Sequence, residues 1–162
     1  MGLFGNKSNE MSIAEEFKIL LLDNKNNIYD IVKDEIRIFE NGDPSKGKSG
    51  NPGTKKIIER LDEPYNSPEM FVMCRIYYLF LKADPKKEQK AMLKNFKKGY
   101  IVGYVSSATE LYCHNIRSLY SANTSEMALA TLDTAFGFEE ELFGPKRNKN
   151  TNYNNGGWQR NR

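Results

Sequence analysis

Residues 67–81 read SPEMFVMCRIYYLFL, and the fold follows from how they must be covered. Ser67 before Pro68 is a helix start. A serine hydroxyl accepts a free first-turn N–H, and proline at the first helical position lacks only an N–H that would go unbonded anyway. The helix they open is apolar on most sides: Met70, Phe71, Met73, Cys74, Ile76, Tyr77, Leu79 and Phe80. A helix with no broad polar stripe needs neighbours all round it. We therefore predict an all-α, compact bundle with residues 67–81 at its centre.

Working outward, Asp84-Pro85 repeats the start signal. From there Met92, Phe96, Tyr100, Tyr104, Leu111, Ile116 and Leu119 keep near-helical spacing, which predicts one long helix over 84–121, bent at Gly99 or Gly103. Asn123 with Glu126 opens a helix to about Ala135, and Phe136, Phe138, Leu142 and Phe143 fold back as a short terminal turn or helix. On the other side, Ser12 and Glu15 form a capping box ahead of Ile13, Phe17, Leu20 and Leu21, predicting a helix over 12–23. Ile28, Ile31, Val32, Ile36 and Phe39 predict another over 27–40, stopped by Gly42. Its end, IRIF, also reads as a short strand, but the periodicity favours helix. NGDPSKGKSGNPG over 41–53 is a loop, and Ile57, Ile58 and Leu61 mark a short helix that ends before Pro64. The count is about six helices with short connections in one domain over 11–143, with a flexible loop at 41–54.

Composition sets the outer limits. The chain has 162 residues, 39% of them hydrophobic, enough for one real core. Its mean hydropathy is −0.67. Residues 1–10 and 144–162 are polar and rich in Gly and Asn and are expected to be disordered. The net charge of +3 hides a polarity: residues 9–40 carry eight acids against four bases, residues 82–98 carry seven lysines against Asp84 and Glu88, and the tail after Gly144 has five bases and no acid. Cys74 and Cys113 sit in apolar helical patterns, as buried reduced thiols do, which suggests a cytoplasmic protein. There is no secretory pattern, no apolar run of membrane-spanning length, and Asn6 stands where N-myristoylation wants Ser or Thr.

Several motifs bear on function. Gly42–Ser49, GDPSKGKS, satisfies the P-loop spacing G-x-x-x-x-G-K-S, in which backbone N–H groups and a helix N-terminus cradle phosphates. Gly50-Asn51-Pro52-Gly53 comes next, however, and cannot readily start that helix. A loop rich in Gly, Lys and Ser matches the pattern easily by chance. His114 is the lone histidine, so one chain holds no multi-histidine metal site. On a helix it shares a face with Ser107 and Glu110, while Cys113 points about 100° away. The paired acids elsewhere read as solvated helix faces. FEEELFG over 138–144 resembles a docking peptide with Phe138, Leu142 and Phe143 as its apolar anchors, or a helix end folded on the core.

The basic segments carry more. Lys86, Lys90, Lys94 and Lys97, flanked by Lys87 and Lys98, form a ridge roughly 16 Å long. Lys86 and Lys87 sit in a first turn, where the helix dipole disfavours cations, so local stability does not explain them. Such a ridge meets phosphates in a salt-sensitive, sequence-independent way, or an acidic protein surface; its plainer reading is a solvated lysine face. In the tail, Lys146, Arg147, Lys149, Arg160 and Arg162 accompany Tyr153 and Trp158, a mixture that suits single-stranded nucleic acid. Gly99-x-x-x-Gly103 is a small-residue notch that permits close helix approach, within the chain or in a homodimer; packing within the chain is the favoured reading. The tyrosines (Tyr77, Tyr78, Tyr100, Tyr104, Tyr112, Tyr120) suit an interface or a core margin.

The reading that unites these features is a non-enzymatic helical accessory or adaptor protein of a larger assembly. Its body docks to a protein partner and its charged segments recruit another. The Asn/Lys-rich, short chain suits a phage or mobile-element component. The first alternative is a sequence-independent RNA- or DNA-binding protein using Lys86–Lys98 and the tail; the second is a nucleotide-binding enzyme using Gly42–Ser49. No catalytic residue, metal or cofactor is expected, and no membrane partner.

Overall fold

The structure, a computed structural model, describes residues 11–145. Among them are eight α-helices and no strand: α1 Ile13–Asp23, α2 Lys25–Asn41, α3 Thr54–Arg60, α4 Pro68–Lys82, α5 Glu88–Lys98, α6 Val102–Ser118, α7 Ser125–Phe136 and α8 Glu139–Phe143. The chain is all-α, as its periodicity requires. The residues read as disordered ends, apart from Gly144 and Pro145, lie outside the described residues.

Helix α4 is the axis. Ser67 Oγ accepts the N–H of Met70, and Pro68 occupies the first turn. Phe71, Val72, Met73, Cys74, Ile76, Tyr77 and Phe80 are all buried. They are covered by α1, α2, α5, α6, α7 and α8, all of which pack on α4. Aromatic rings fasten its two ends. Near the C-terminal end Phe80 stacks on Phe17 of α1 with ring centres 4.1 Å apart, and Phe96 of α5 meets Phe17 edge-on at 4.9 Å. Toward the N-terminal end Phe71 lies 5.4 Å from Tyr112 of α6 and 5.7 Å from Phe136 of α7.

The caps follow the sequence closely in places. Ser12 accepts the N–H of Glu15, the capping box expected at the start of α1. The polar turn after it is shorter than read: Asn24 alone separates α1 from α2, its backbone and side-chain amides both donating to the Leu20 carbonyl. IRIF is helix throughout, inside α2. Residues 139–143 form α8, which resolves the turn-or-helix alternative.

The long helix over 84–121 is not formed. It is two helices, α5 and α6, broken at Gly99. There φ is 84° and the Tyr100 N–H reaches back to the Asn95 carbonyl while the Gly99 N–H bonds to Phe96. This is a glycine C-terminal motif, which needs the left-handed backbone that glycine adopts without strain. Periodicity could not reveal it, because Phe96 and Ile101 are both core residues on either side of the break. The start is also displaced. Asp84 Oδ1 accepts the N–H groups of Lys86 and Lys87, and α5 proper begins at Glu88, which accepts the Asp84 N–H. Splitting this helix and resolving α8 raises the expected six helices to eight.

Polar groups in the core are satisfied. Gln89 is buried and donates to the Phe80 carbonyl at the end of α4, and Thr109 donates to Val105. Tyr112 reaches the Tyr65 carbonyl, and Tyr77 donates to Glu141 at 2.7 Å.

Two measurements test this packing. Phe17→Ala empties a fully buried position between two rings and is expected to cost about 3–5 kcal/mol in urea unfolding. Ile19→Ala, two residues along at a position 40% exposed, should stay within about 0.5 kcal/mol. The second concerns pH. Burial raises the Tyr77 and Tyr112 phenols above their usual range, with the Glu141 carboxylate adding to the effect at Tyr77. The unfolded chain then loses those protons first, so stability is full below about pH 10 and falls as pH rises past it. Thermal midpoints at about pH 8 and about pH 11 should show this drop, with a smaller drop in Tyr77→Phe.

Candidate protein-docking groove and lysine ridge

Helices α4 and α6 lie side by side, but their facing surfaces do not close along their whole length. An open groove of about 480 Å³ runs between them. Arg75 and Leu79 of α4 stand on one side; Tyr100, Gly103, Tyr104 and Leu111 stand on the other. Its wall is held in place. Tyr104 Oη accepts Asn95 Nδ2 at 2.9 Å, and its ring packs on Phe96 at 5.4 Å. Leu79 is 39% exposed and Tyr100 67%, so apolar area faces solvent here that a closed bundle would have buried.

Gly103 corrects an expectation. The Gly99/Gly103 notch does not serve packing within the chain. Gly99 ends α5, and a methyl group built on Gly103 would meet nothing within 4 Å. Of the two glycines, Gly103 alone lines the groove, where the missing side chain leaves it open. Arg75 is the groove's one charged side chain. Its guanidinium lies 5.4 Å from the Tyr78 ring centre, and among the described residues no carboxylate pairs with it.

The lysine ridge lies on α5 and the turn before it. Met92 and Phe96 point inward, and Lys86, Lys87, Lys90, Lys94, Lys97 and Lys98 are all exposed. Lys90, Lys94 and Lys98 recur every four residues, opposite the buried face. Lys97 is drawn off to Glu16 of α1 at 2.8 Å. The only acid on α5 is Glu88, which is occupied with the Asp84 N–H. The tail residues grouped with this ridge, Lys146, Arg147, Trp158, Arg160 and Arg162, lie outside the described residues.

The anchors read in FEEELFG are spent on the chain's own core. Leu142 is buried, Phe138 packs on the Tyr77 and Tyr78 rings, and Phe143 is half-buried against the core. Glu141 takes the Tyr77 hydroxyl and, through its carbonyl, Lys18. Of the two readings of that segment, the structure takes the folded helix end, with Leu142 buried and Phe138 and Phe143 half-buried against the bundle.

The P-loop-like segment takes a different shape from a phosphate cradle. It follows helix α2 rather than a strand, and α3 begins only at Thr54. The Lys48 N–H bonds to the Asp43 carbonyl, and Asp43 returns its N–H to Lys48, so these amides are not free for a ligand. Asp43 Oδ1 holds Ser45, which keeps that carboxyl below its usual range. Lys48 Nζ crosses to Glu110 of α6 at 3.0 Å, and the hydrogen bond raises its pKa. The remainder of the loop is tied down as well. Asn51 bonds to Phe39, and Arg117 donates to Pro52 and Thr54.

A smaller cleft of about 240 Å³ gathers Glu35, Phe39, Lys48, Ser49, Glu110 and His114. His114 stands edge-on to the Phe39 ring at 4.9 Å. Glu110 turns to Lys48, and no hydrogen bond joins it to His114. Burial pushes the Cys113 thiol, one residue away, up to about 12, and Cys74 likewise; neither is a thiolate at neutral pH. Among the described residues no group of three His, Cys, Asp or Glu side chains is placed to hold a metal. No described helix is long and apolar enough to cross a membrane. No protein family, curated protein or solved structure matches the chain.

Sequence reading missed the groove because its two walls come from residues 75–79 and 100–111, and nothing local marks them as opposed. It also missed the Lys48–Glu110 contact for the same reason. The loop gives a direct test of its built character. A methyl group on Gly50 would lie 2.6 Å from the Glu40 carbonyl oxygen. Gly50→Ala is therefore expected to lower unfolding stability by about 1–3 kcal/mol. Lys48→Ala removes only an exposed ion pair and should cost less than about 1 kcal/mol in the same denaturation experiment.

Proposed function

We propose that this chain is a non-enzymatic helical accessory protein that takes an amphipathic, carboxylate-bearing helix of a partner protein into the groove between α4 and α6. The observation that carries the reading is Arg75, set without a carboxylate partner among the described residues in an open, mostly apolar groove. A guanidinium among apolar walls favours an occupant that brings apolar side chains and one acid. Helix-in-groove docking uses anchors at helical spacing, and Gly103 leaves room for a backbone to come close. Leu79 and Tyr100 offer the area such anchors bury.

The chemistry-bearing groups favour binding over catalysis. Lys48 and Glu110 are paired to each other, and the two thiols are protonated and buried. His114 faces an aromatic edge without an acid or base partner of its own.

The test uses a displayed library of helix-biased peptides against the full chain. Wild type is expected to enrich peptides with apolar residues at i, i+3/4 and i+7 and an Asp or Glu beside them. Arg75→Glu should shift the enriched charge to Lys or Arg. Gly103→Leu should weaken the selected peptides at least about tenfold, a loss on the order of 1.4 kcal/mol. It should keep or raise the thermal midpoint, since a helical glycine is replaced. An unenriched library, or peptides that bind Gly103→Leu as well as wild type, would sink the proposal.

A further inference from the structure

The groove reading leaves the lysine ridge unused, and the fold gives that ridge features the groove does not explain. Lys90, Lys94 and Lys98 stand in one row on α5, each step about 6 Å along the axis, and none has an ion-pair partner among the described residues. Lys86 and Lys87 extend the row past the helix start, where helix stability gains nothing from cations. The chain places no acid among them except Glu88, whose carboxylate is turned back to the Asp84 backbone. At the other end the chain turns at Gly99 and presents Tyr100, 67% exposed. A row of cations ending in an open aromatic ring is the combination that grips a single strand: cations neutralise its phosphates and the ring stacks on a base.

The flank of the ridge decides between one strand and two. Helix α1 packs beside α5 and carries Glu15 and Glu16, the second already holding Lys97. A duplex lying along α5 would bring its second strand toward those carboxylates, whereas a single strand can follow the outer row and avoid them. We propose that the exposed lysine face of α5, with Tyr100 at its end, binds single-stranded nucleic acid through its phosphates and one stacked base, without regard to sequence.

The test is fluorescence anisotropy of the full chain with a labelled oligothymidylate of about 20 nucleotides, and with the corresponding duplex. With about four phosphate contacts, single-strand affinity should fall about 50-fold between about 50 and about 200 mM salt. Lys90→Glu with Lys94→Glu should lower it at least about tenfold at low salt and flatten the salt slope. Tyr100→Ala should lower it at least about fivefold and leave the slope unchanged. Both variants alter exposed residues, and unchanged helical circular dichroism checks the fold. Should the charge reversal disturb it, Lys90→Gln with Lys94→Gln replaces it and should also flatten the slope. The charge variants keep the basic tail, so binding undiminished by them would place the contact there and overturn the proposal. It would also be overturned by a wild type that does not bind at low salt, by a duplex bound as tightly as the single strand, or by an indifferent Tyr100→Ala.

Discussion

Helix α4 has almost no surface of its own to give to water, and the positions of the other helices answer that constraint. An apolar helix of this kind is stable only when its sides are covered, because each buried aliphatic or aromatic side chain contributes a few kcal/mol that exposure would forfeit. Two ring clusters do the fastening, Phe17–Phe80–Phe96 near the C-terminal end and Phe71–Tyr112–Phe136 toward the N-terminal end. The first joins α1 and α5 to α4, the second joins α6 and α7. Helix α8 completes the covering by seating Leu142 and passing the Glu141 carboxylate to the Tyr77 hydroxyl.

Where cover is incomplete, the surface becomes distinctive. Helix α6 follows α4 closely, yet small residues on its N-terminal half, with Gly103 among them, leave the α4–α6 seam open. An alanine at 103 would have met no neighbour within 4 Å and brought a gain in helix propensity. The fold therefore does not require the glycine there. At Gly50 the reverse holds: backbone of Glu40 and Asn41 leaves no room for a side chain, and the loop could not lie against α2 without it. Two glycines in one chain thus have opposite meanings, and only the positions of their neighbours distinguish them.

The same division separates what the sequence made legible from what it did not. Signals that act within a few residues were readable: the Ser12–Glu15 box, the Ser67-Pro68 start and the all-round apolarity of α4. Gly99 was visible as a helix-breaking residue, but the apolar spacing runs through it, since Phe96 and Ile101 both reach the core. Periodicity reports which face is buried and is blind to a chain that turns and then buries the next face too. Contacts over long separations left no local mark at all. Lys48 with Glu110, Arg117 with the 51–54 turn and Arg75 with its apolar surroundings depend on how helices far apart in sequence come together. The lysine row was legible because a helical stripe is a local pattern; its bounding acids on α1 were not.

The turn at Gly99 also settles how the two surfaces relate. A single straight helix over 84–121 would have set the lysine row and Gly103 along one rod, with Tyr100 as one more residue on its side. Breaking the rod ends the row of cations at residue 98 and starts the groove wall at residue 100. Tyr100 then belongs to both: it lines the groove and stands open at the end of the ridge. Two ligands that each bury this ring cannot do so at once. If both proposed partners bind, their equilibria are linked through Tyr100, and each must weaken the other by the same factor, because coupling between sites is reciprocal. The left-handed glycine that misled the periodicity is thus also the residue that makes two neighbouring surfaces compete for one side chain.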